Sequence, residues 1–180
     1  PPQSYLAGYA QPVPVPGVVN TAGAEDGSFI MPAGDTLFFF FTPDVRVPVE
    51  KQLLDGVTGI YVSHLVDGEW TAAERIMLQD PGKLAMDGCE FVLGDRVQAG
   101  SRMWFCTARE GYTGLHWFTA DYQDGRWQNW QNADFDPAYQ VGELHLSSDG
   151  RELYFHSDRP GGMGGLDLWQ SSQVNGAWQE

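Results

Sequence analysis

The hydrophobic and polar positions of this chain alternate in short runs, with no helical stripe among them. "TGIYVSHLV" (Thr58 to Val66), "GLHWFTADY" (Gly114 to Tyr122) and "GLDLWQSSQV" (Gly165 to Val174) read as strands. Ahead of each lies another run, "DTLFFFFT" (Asp35 to Thr42), "SRMWFCTARE" (Ser101 to Glu110) or "RELYFHSDR" (Arg151 to Arg159), with period two or apolar throughout. Still further ahead are "GSFIMP" (Gly27 to Pro32), "CEFVLG" (Cys89 to Gly94) and "GELHLS" (Gly142 to Ser147). Behind each set stands one tight-turn signal: "DGEW" at Asp67, "DGRW" at Asp124 and "NGAW" at Asn175. Asp-Gly and Asn-Gly are preferred centres of two-residue type I′ hairpins, because both positions need positive φ. The pattern predicts four strands per unit and no helix, since segments such as "TAAERIML" (Thr71 to Leu78) are short and uncapped.

The tryptophans of the three turn signals, Trp70, Trp127 and Trp178, recur after 57 and 51 residues. A four-stranded antiparallel meander repeating at about 50 residues is the mark of a β-propeller blade, with its first strand nearest the axis and its Trp strand outermost. The fold expected is all-β, a propeller of about three blades. A β-sandwich competes, but it has no reason to repeat one hairpin chemistry at one offset. The expected divisions are an N-terminal segment (1–23) carrying an outer strand of a preceding or closing blade, then blades at 24–80, 81–136 and 137–180. The first holds a long loop, 42–59, and the third has an incomplete outer strand. Propellers have roughly four to eight blades, and three leave two raw sheet edges. The expectation is therefore further blades beyond Glu180, or a homodimer completing a six-bladed ring. "QPVPVP" (Gln11 to Pro16) is a further candidate to supply the missing edge of the third blade.

Composition narrows the partners. A formal net charge of −14 repels phosphate backbones, so nucleic acid is not expected. No stretch approaches the roughly 20 apolar residues that span a bilayer, so membrane insertion is not expected either. The start at Pro1 fits a removed signal peptide or a trimmed chain equally. Cys89 and Cys106 fall in neighbouring strands of one unit, where a disulfide forms if the Cα atoms come within about 7 Å. Two free, partly buried thiols are the alternative.

"LSSDGRELYFHSDRPGGMGGLDLWQSSQVNGAW" (Leu146 to Trp178) closely resembles the WD-repeat-like blade of TolB-like bacterial propellers. The pattern is S-x-D-G-x-x-L-Y-F-x-S-D-R-P-G-G, then G-x-D-L-W, then N/D-G-x-W. The first unit has Ala33 for the motif's Asp, and its long loop displaces the Ser-Asp-Arg segment. The second has Ala108 in place of the third's Asp158 and His116 in place of Asp167. The resemblance implies a periplasmic or secreted propeller scaffold, without catalysis of its own, binding a protein or glycan ligand.

Candidate sites follow from the strand order. Alternate side chains of a first strand point to the axis, which puts Glu143 and His145 on one face, with Glu90 as the matching position of the second unit. Such residues at a channel mouth suit a cation, a sugar or a peptide terminus; a solvated channel lining is the plainer reading. The alternative function is a propeller-type glycoside hydrolase or lyase with its site at the central channel mouth, and Asp158, Arg159 and Asp167 separately suggest a carboxylate pair of the kind glycosidases use. Such residues at strand ends more often tie a tight loop down, and Arg109 suits the same role. Trp104, Trp117, Trp127 and Trp130, with Tyr112 and Tyr122, read as inter-blade packing or a sugar-stacking surface. The long loop presents Asp44, Arg46 and Lys51 as a further binding face. Histidines 64, 116, 145 and 156 lack metal-ligand spacing, and no P-loop, nucleophile elbow or dinucleotide fingerprint appears. No cofactor or metal is expected.

Overall fold

The structure is a computed structural model that describes residues 10–111, 113–135 and 138–179. It is all-β, built from three antiparallel sheets. The first contains β1 (Ala24–Ile30), β2 (Thr36–Thr42), β3 (Gly59–Val66), β4 (Glu69–Trp70) and β5 (Glu74–Arg75). The second contains β6 (Ala85–Val92), β7 (Arg102–Arg109), β8 (His116–Gln123) and β9 (Arg126–Asn132); the third, β10 (Val141–Leu146), β11 (Glu152–Ser157), β12 (Asp167–Val174) and β13 (Ala177–Trp178). Each sheet runs in chain order. In the first sheet β4 and β5 pair with the same strand, β3, so they form one interrupted fourth strand.

The turn chemistry read from the sequence is realised three times. Asp67, Asp124 and Asn175 have φ of 52°, 52° and 51°, and the glycines that follow have 86°, 77° and 81°. Glycine meets this demand without a Cβ clash, and Asp or Asn with a small one. The hairpins share a register, pairing Leu65 with Trp70, Tyr122 with Trp127 and Gln173 with Trp178.

A second repeated feature has no sequence signal. The first strand of every sheet carries a β-bulge: between Asp26 and Phe29, between Gly88 and Phe91, and between Gly142 and Leu144. Gly27 and Cys89, the first extra residues of two bulges, both adopt left-handed backbone, at φ 58° and 54°. The ladders then align the sheets residue by residue. Phe29–Phe38–Val62, Phe91–Trp104–Thr119 and His145–Tyr154–Gln170 are equivalent rows, as are Phe40–Ile60, Cys106–Trp117 and His156–Leu168.

Packing between sheets follows these rows. Phe38 and Ile60 of the first sheet meet Val92, Met103, Phe105, Ala120 and Trp127 of the second in one core. The matching face of the second sheet, with Phe91, Cys106 and Trp117, meets Leu144, Leu146, Leu153 and Phe155 of the third in another. Trp127 joins the first core and Trp178 lies against the second, so these two hairpin tryptophans seal their own sheets to the sheet before. Such aromatic burial supplies most of the adhesion between sheets.

Three expectations need correction. The long loop contains a one-turn helix, α1 (Val49–Gln52), where no helix is indicated by the sequence; the buried Gln52 amide holds it by donating to the Val47 carbonyl at 2.6 Å. Leu53, just after it, packs against Met86 and Ala108 of the second sheet, and this tertiary contact outweighs weak local propensity. Residues 10–23 form no strand. Their one ladder contact is an isolated parallel bridge from Gly17 to Trp70, at the outer strand of the first sheet. Val19 is buried and Gly23 fits against the Phe41 ring with no room for a side chain, so this segment lies along the first sheet. The start of the N-terminal segment at 1–9, together with Tyr112 and Glu180, lies outside the described residues. Finally, β1 and β6 begin at Ala24 and Ala85, earlier than the apolar pattern suggests, because "AEDG" and "AMDG" resemble turns but lead into the bulges.

Candidate functional site

The first strands lie side by side, with β6 between β1 and β10. Equivalent rings touch across them: Phe29 and Phe91 at 5.2 Å between centroids, Phe91 and His145 at 4.9 Å. Beside this row a cleft of about 470 Å³ opens, lined by Ala24 to Gly27 of β1, Gly88 and Cys89 of β6, Glu143 of β10, and Val45, Val49 and Gln52 of the long loop. Phe40, Met86 and Leu115 contribute apolar lining. Its size lies within the usual range of ligand sites.

Among the described residues, the acidic residues lining the cleft are Glu25, Asp26 and Glu143, and no Lys, Arg or His lines it. Glu25 Oε1 accepts from the Thr21 hydroxyl at 2.6 Å and its amide at 3.1 Å; Asp26 Oδ1 accepts from the Gly27 amide at 2.8 Å. Glu143 is exposed and has no hydrogen bond or ion pair among the described residues. The wall between them holds the disulfide joining Cys89 to Cys106, whose Cα atoms are 5.4 Å apart.

Glu90 does not match Glu143. The bulges align Cys89 with Glu143 and Glu90 with Leu144, so Glu90 turns to the opposite face and is buried. A one-residue slip exchanges the faces of a strand, and identical-looking Glu residues in "CEFV" and "GELH" therefore occupy different environments. Burial is the main force that pushes the Glu90 pKa up to about 8, and the negative charge of Glu143 adds to it. Neither carboxyl oxygen of Glu90 has a hydrogen-bond partner on another residue. His145 shares the exposed side of β10 with Glu143, with its ring against Phe91.

The other singled-out residues form loop contacts. Asp167 Oδ2 accepts from the Met163 and Gly164 amides at 2.8 and 2.9 Å, and Asp158 Oδ1 from the Gln140 amide at 2.8 Å. Arg159 lies over the Phe155 ring at 4.9 Å and the Trp169 ring at 5.6 Å. Arg109, its counterpart in the second sheet, lies over Phe118 at 4.7 Å and donates to the Leu78 carbonyl at 3.0 Å. Asp44 and Arg46 pair with each other through two 2.8 Å bonds; these hold the Asp44 pKa down at about 2 and leave little net charge for a partner. Trp117 and Trp127 are buried in the inter-sheet cores, and Trp127, Trp130 and Tyr122 line a groove of about 760 Å³ between the first two sheets.

Two charged residues escaped the sequence reading. Asp87 is buried 3.8 Å from Arg109; burial pushes its carboxyl up, opposed by the positive charges of Arg109 and Arg75. Arg75 reaches the carbonyls of Gly56, Thr58 and Ala85 at 3.0, 3.1 and 3.0 Å, fastening the long loop to the second sheet. Neither belongs to a repeated motif, so no spacing marked them.

Among the described residues, no group of His, Cys, Asp and Glu side chains is arranged to hold a metal ion, and no helix is long and apolar enough to cross a membrane. A scan against models of known protein families found no match, and a search of curated proteins found no related sequence.

Proposed function

We propose that the chain is a run of β-propeller blades of the TolB-like kind, serving as a non-catalytic scaffold that binds its ligand at the cleft beside the first strands. The observation that carries this reading is the contact of equivalent residues, Phe29 to Phe91 to His145, along three adjacent first strands. Sheets repeated about a common axis bring their first strands together in this way, and the space beside those strands becomes the natural ligand site. The Cys89–Cys106 disulfide accords with an oxidising, extracytoplasmic compartment.

One observation favours a glycoside hydrolase or lyase. Glu90, held protonated near neutral pH, lies within electrostatic range of Glu143, and an acid with a raised pKa beside an ionised partner is the arrangement glycosidases use. Glu90 faces the core, however, and is absent from the cleft lining, so its proton has no route to a bound sugar. The scaffold reading is preferred for that reason. Glycan and peptide arrays probed at neutral pH, followed by mass analysis of retained ligands, test it. The expected result is a ligand retained with unchanged mass. Cleavage of a glycan that disappears in Glu143→Gln would replace the scaffold with the enzyme.

A further inference from the structure

Resting on that reading, we propose that the cleft takes an extended basic peptide, with a Lys or Arg side chain seated among Glu25, Asp26 and Glu143. Three features of the lining point to this occupant.

The first is charge. Three acidic residues line one cleft that, among the described residues, no cationic side chain lines. Those of Glu25 and Asp26 each commit one oxygen to a local hydrogen bond and keep the other, and Glu143 commits neither. Like charges brought together raise the local negative potential, and a cation entering there relieves it.

The second feature is the main chain. β1 and β6 are edge strands, each paired on one side only, to β2 and β7. Both strands line the cleft, β1 along Ala24 to Gly27 and β6 at Gly88 and Cys89. Unsatisfied backbone donors and acceptors on an edge accept another extended chain. A free amine or a sugar has no comparable use for a row of amides and carbonyls, so the edges select a peptide over a small cation.

The third feature is apolar. Phe40, Val45, Val49, Met86 and Leu115 give a surface for the alternate side chains of a strand, or for the methylene stem of a lysine whose ammonium reaches the carboxylates.

The test uses the protein as it stands and three N-acetylated, C-amidated pentapeptides, Val-Lys-Val-Lys-Val and its Gln and Glu counterparts, titrated calorimetrically at low and physiological salt. The Lys peptide is expected to bind at one site, at least tenfold more tightly than the Gln peptide, with the Glu peptide weakest and the gap narrowing as salt rises. Glu143→Gln and Asp26→Asn, both at exposed side chains, should each weaken the Lys peptide about fivefold and leave the melting temperature unchanged. n-Butylamine should not compete at equal concentration. Equal binding of the Lys and Gln peptides would overturn the cationic preference while leaving a peptide-binding cleft in place. Competition by n-butylamine would overturn the peptide and leave the cation. No binding by any of the three would overturn this inference outright, with the array experiment still deciding between scaffold and enzyme.

Discussion

The second and third sheets share strand order, hairpin register and bulge position, yet the same face of each meets a different fate. In the second sheet the row Phe91, Trp104, Cys106 and Trp117 is packed under the third sheet. In the third, those positions hold His145, Tyr154, His156 and Leu168, and the face is open, with Tyr154 46% and Leu168 88% exposed. Backbone repetition sets where a face lies; side-chain chemistry sets whether water is tolerable there. The first sheet solves the problem differently, since residues 10–23 run beside it with Val19 buried.

The comparison is sharpened most by the one position where the second sheet is the more polar. Glu90 occupies the site that Leu144 fills in the third sheet. Its folded pKa of about 8 exceeds the ordinary 4.5, so the native state holds the proton more firmly than the unfolded chain. Stability therefore falls as pH rises from about 4.5 through about 8 and levels off above that, by up to about 5 kcal/mol. Glu90→Leu should remove most of this slope and raise the melting temperature most at pH 8 to 9. A further slope of the same sign should remain from Asp87, whose carboxyl is also pushed up by burial. Unfolding curves across pH 4 to 9 provide the check, and an unchanged slope in the variant would break the assignment.

Next in size is the contrast between covered and open positions. Trp117 is fully buried, between the second and third sheets, and Trp117→Ala should cost about 4 kcal/mol. Leu168→Ala, at the equivalent position of the third sheet, should change stability by no more than about 0.5 kcal/mol. Denaturant unfolding of both variants measures the difference. A large loss from Leu168→Ala would mean that the third face is covered in solution by another sheet, as in a ring formed with further blades or a second copy.

The disulfide comes between these two effects. Reducing Cys89–Cys106, which are 17 residues apart, should cost about 3 kcal/mol by the chain-entropy estimate. The third sheet has no counterpart to it. Hydrogen exchange should accordingly quicken in β6 and β7 on reduction, and less in β11 and β12.

How much of this was legible depended on whether a feature had chemistry of its own. The hairpins did, because Asp-Gly and Asn-Gly announce positive φ. The strand order followed from them, and the cysteine pairing remained one of two alternatives. The bulges did not: Cys89 adopts left-handed backbone although nothing in "DGCEF" demands it, and without the bulge Glu90 aligns by eye with Glu143. That single slip moved one candidate carboxylate from the solvent side to the core. The long loop was marked as functional by length alone. Its charged pair neutralises itself, and its contribution to the cleft comes from Val45, Val49 and Gln52 instead. Residues 10–23 resembled a strand of another blade because proline-rich extended chain and an edge strand share a composition.

The most direct test of the central claim is a two-dimensional amide NMR titration of the protein with the Val-Lys-Val-Lys-Val peptide. The largest shifts are expected on Ala24 to Gly27, Gly88, Cys89 and Glu143 and on the loop near Val45 to Gln52, with His145 following through Phe91. Shifts centred instead on Tyr154, Leu168 and Gln170 would contradict it, and would make the open face of the third sheet the binding surface.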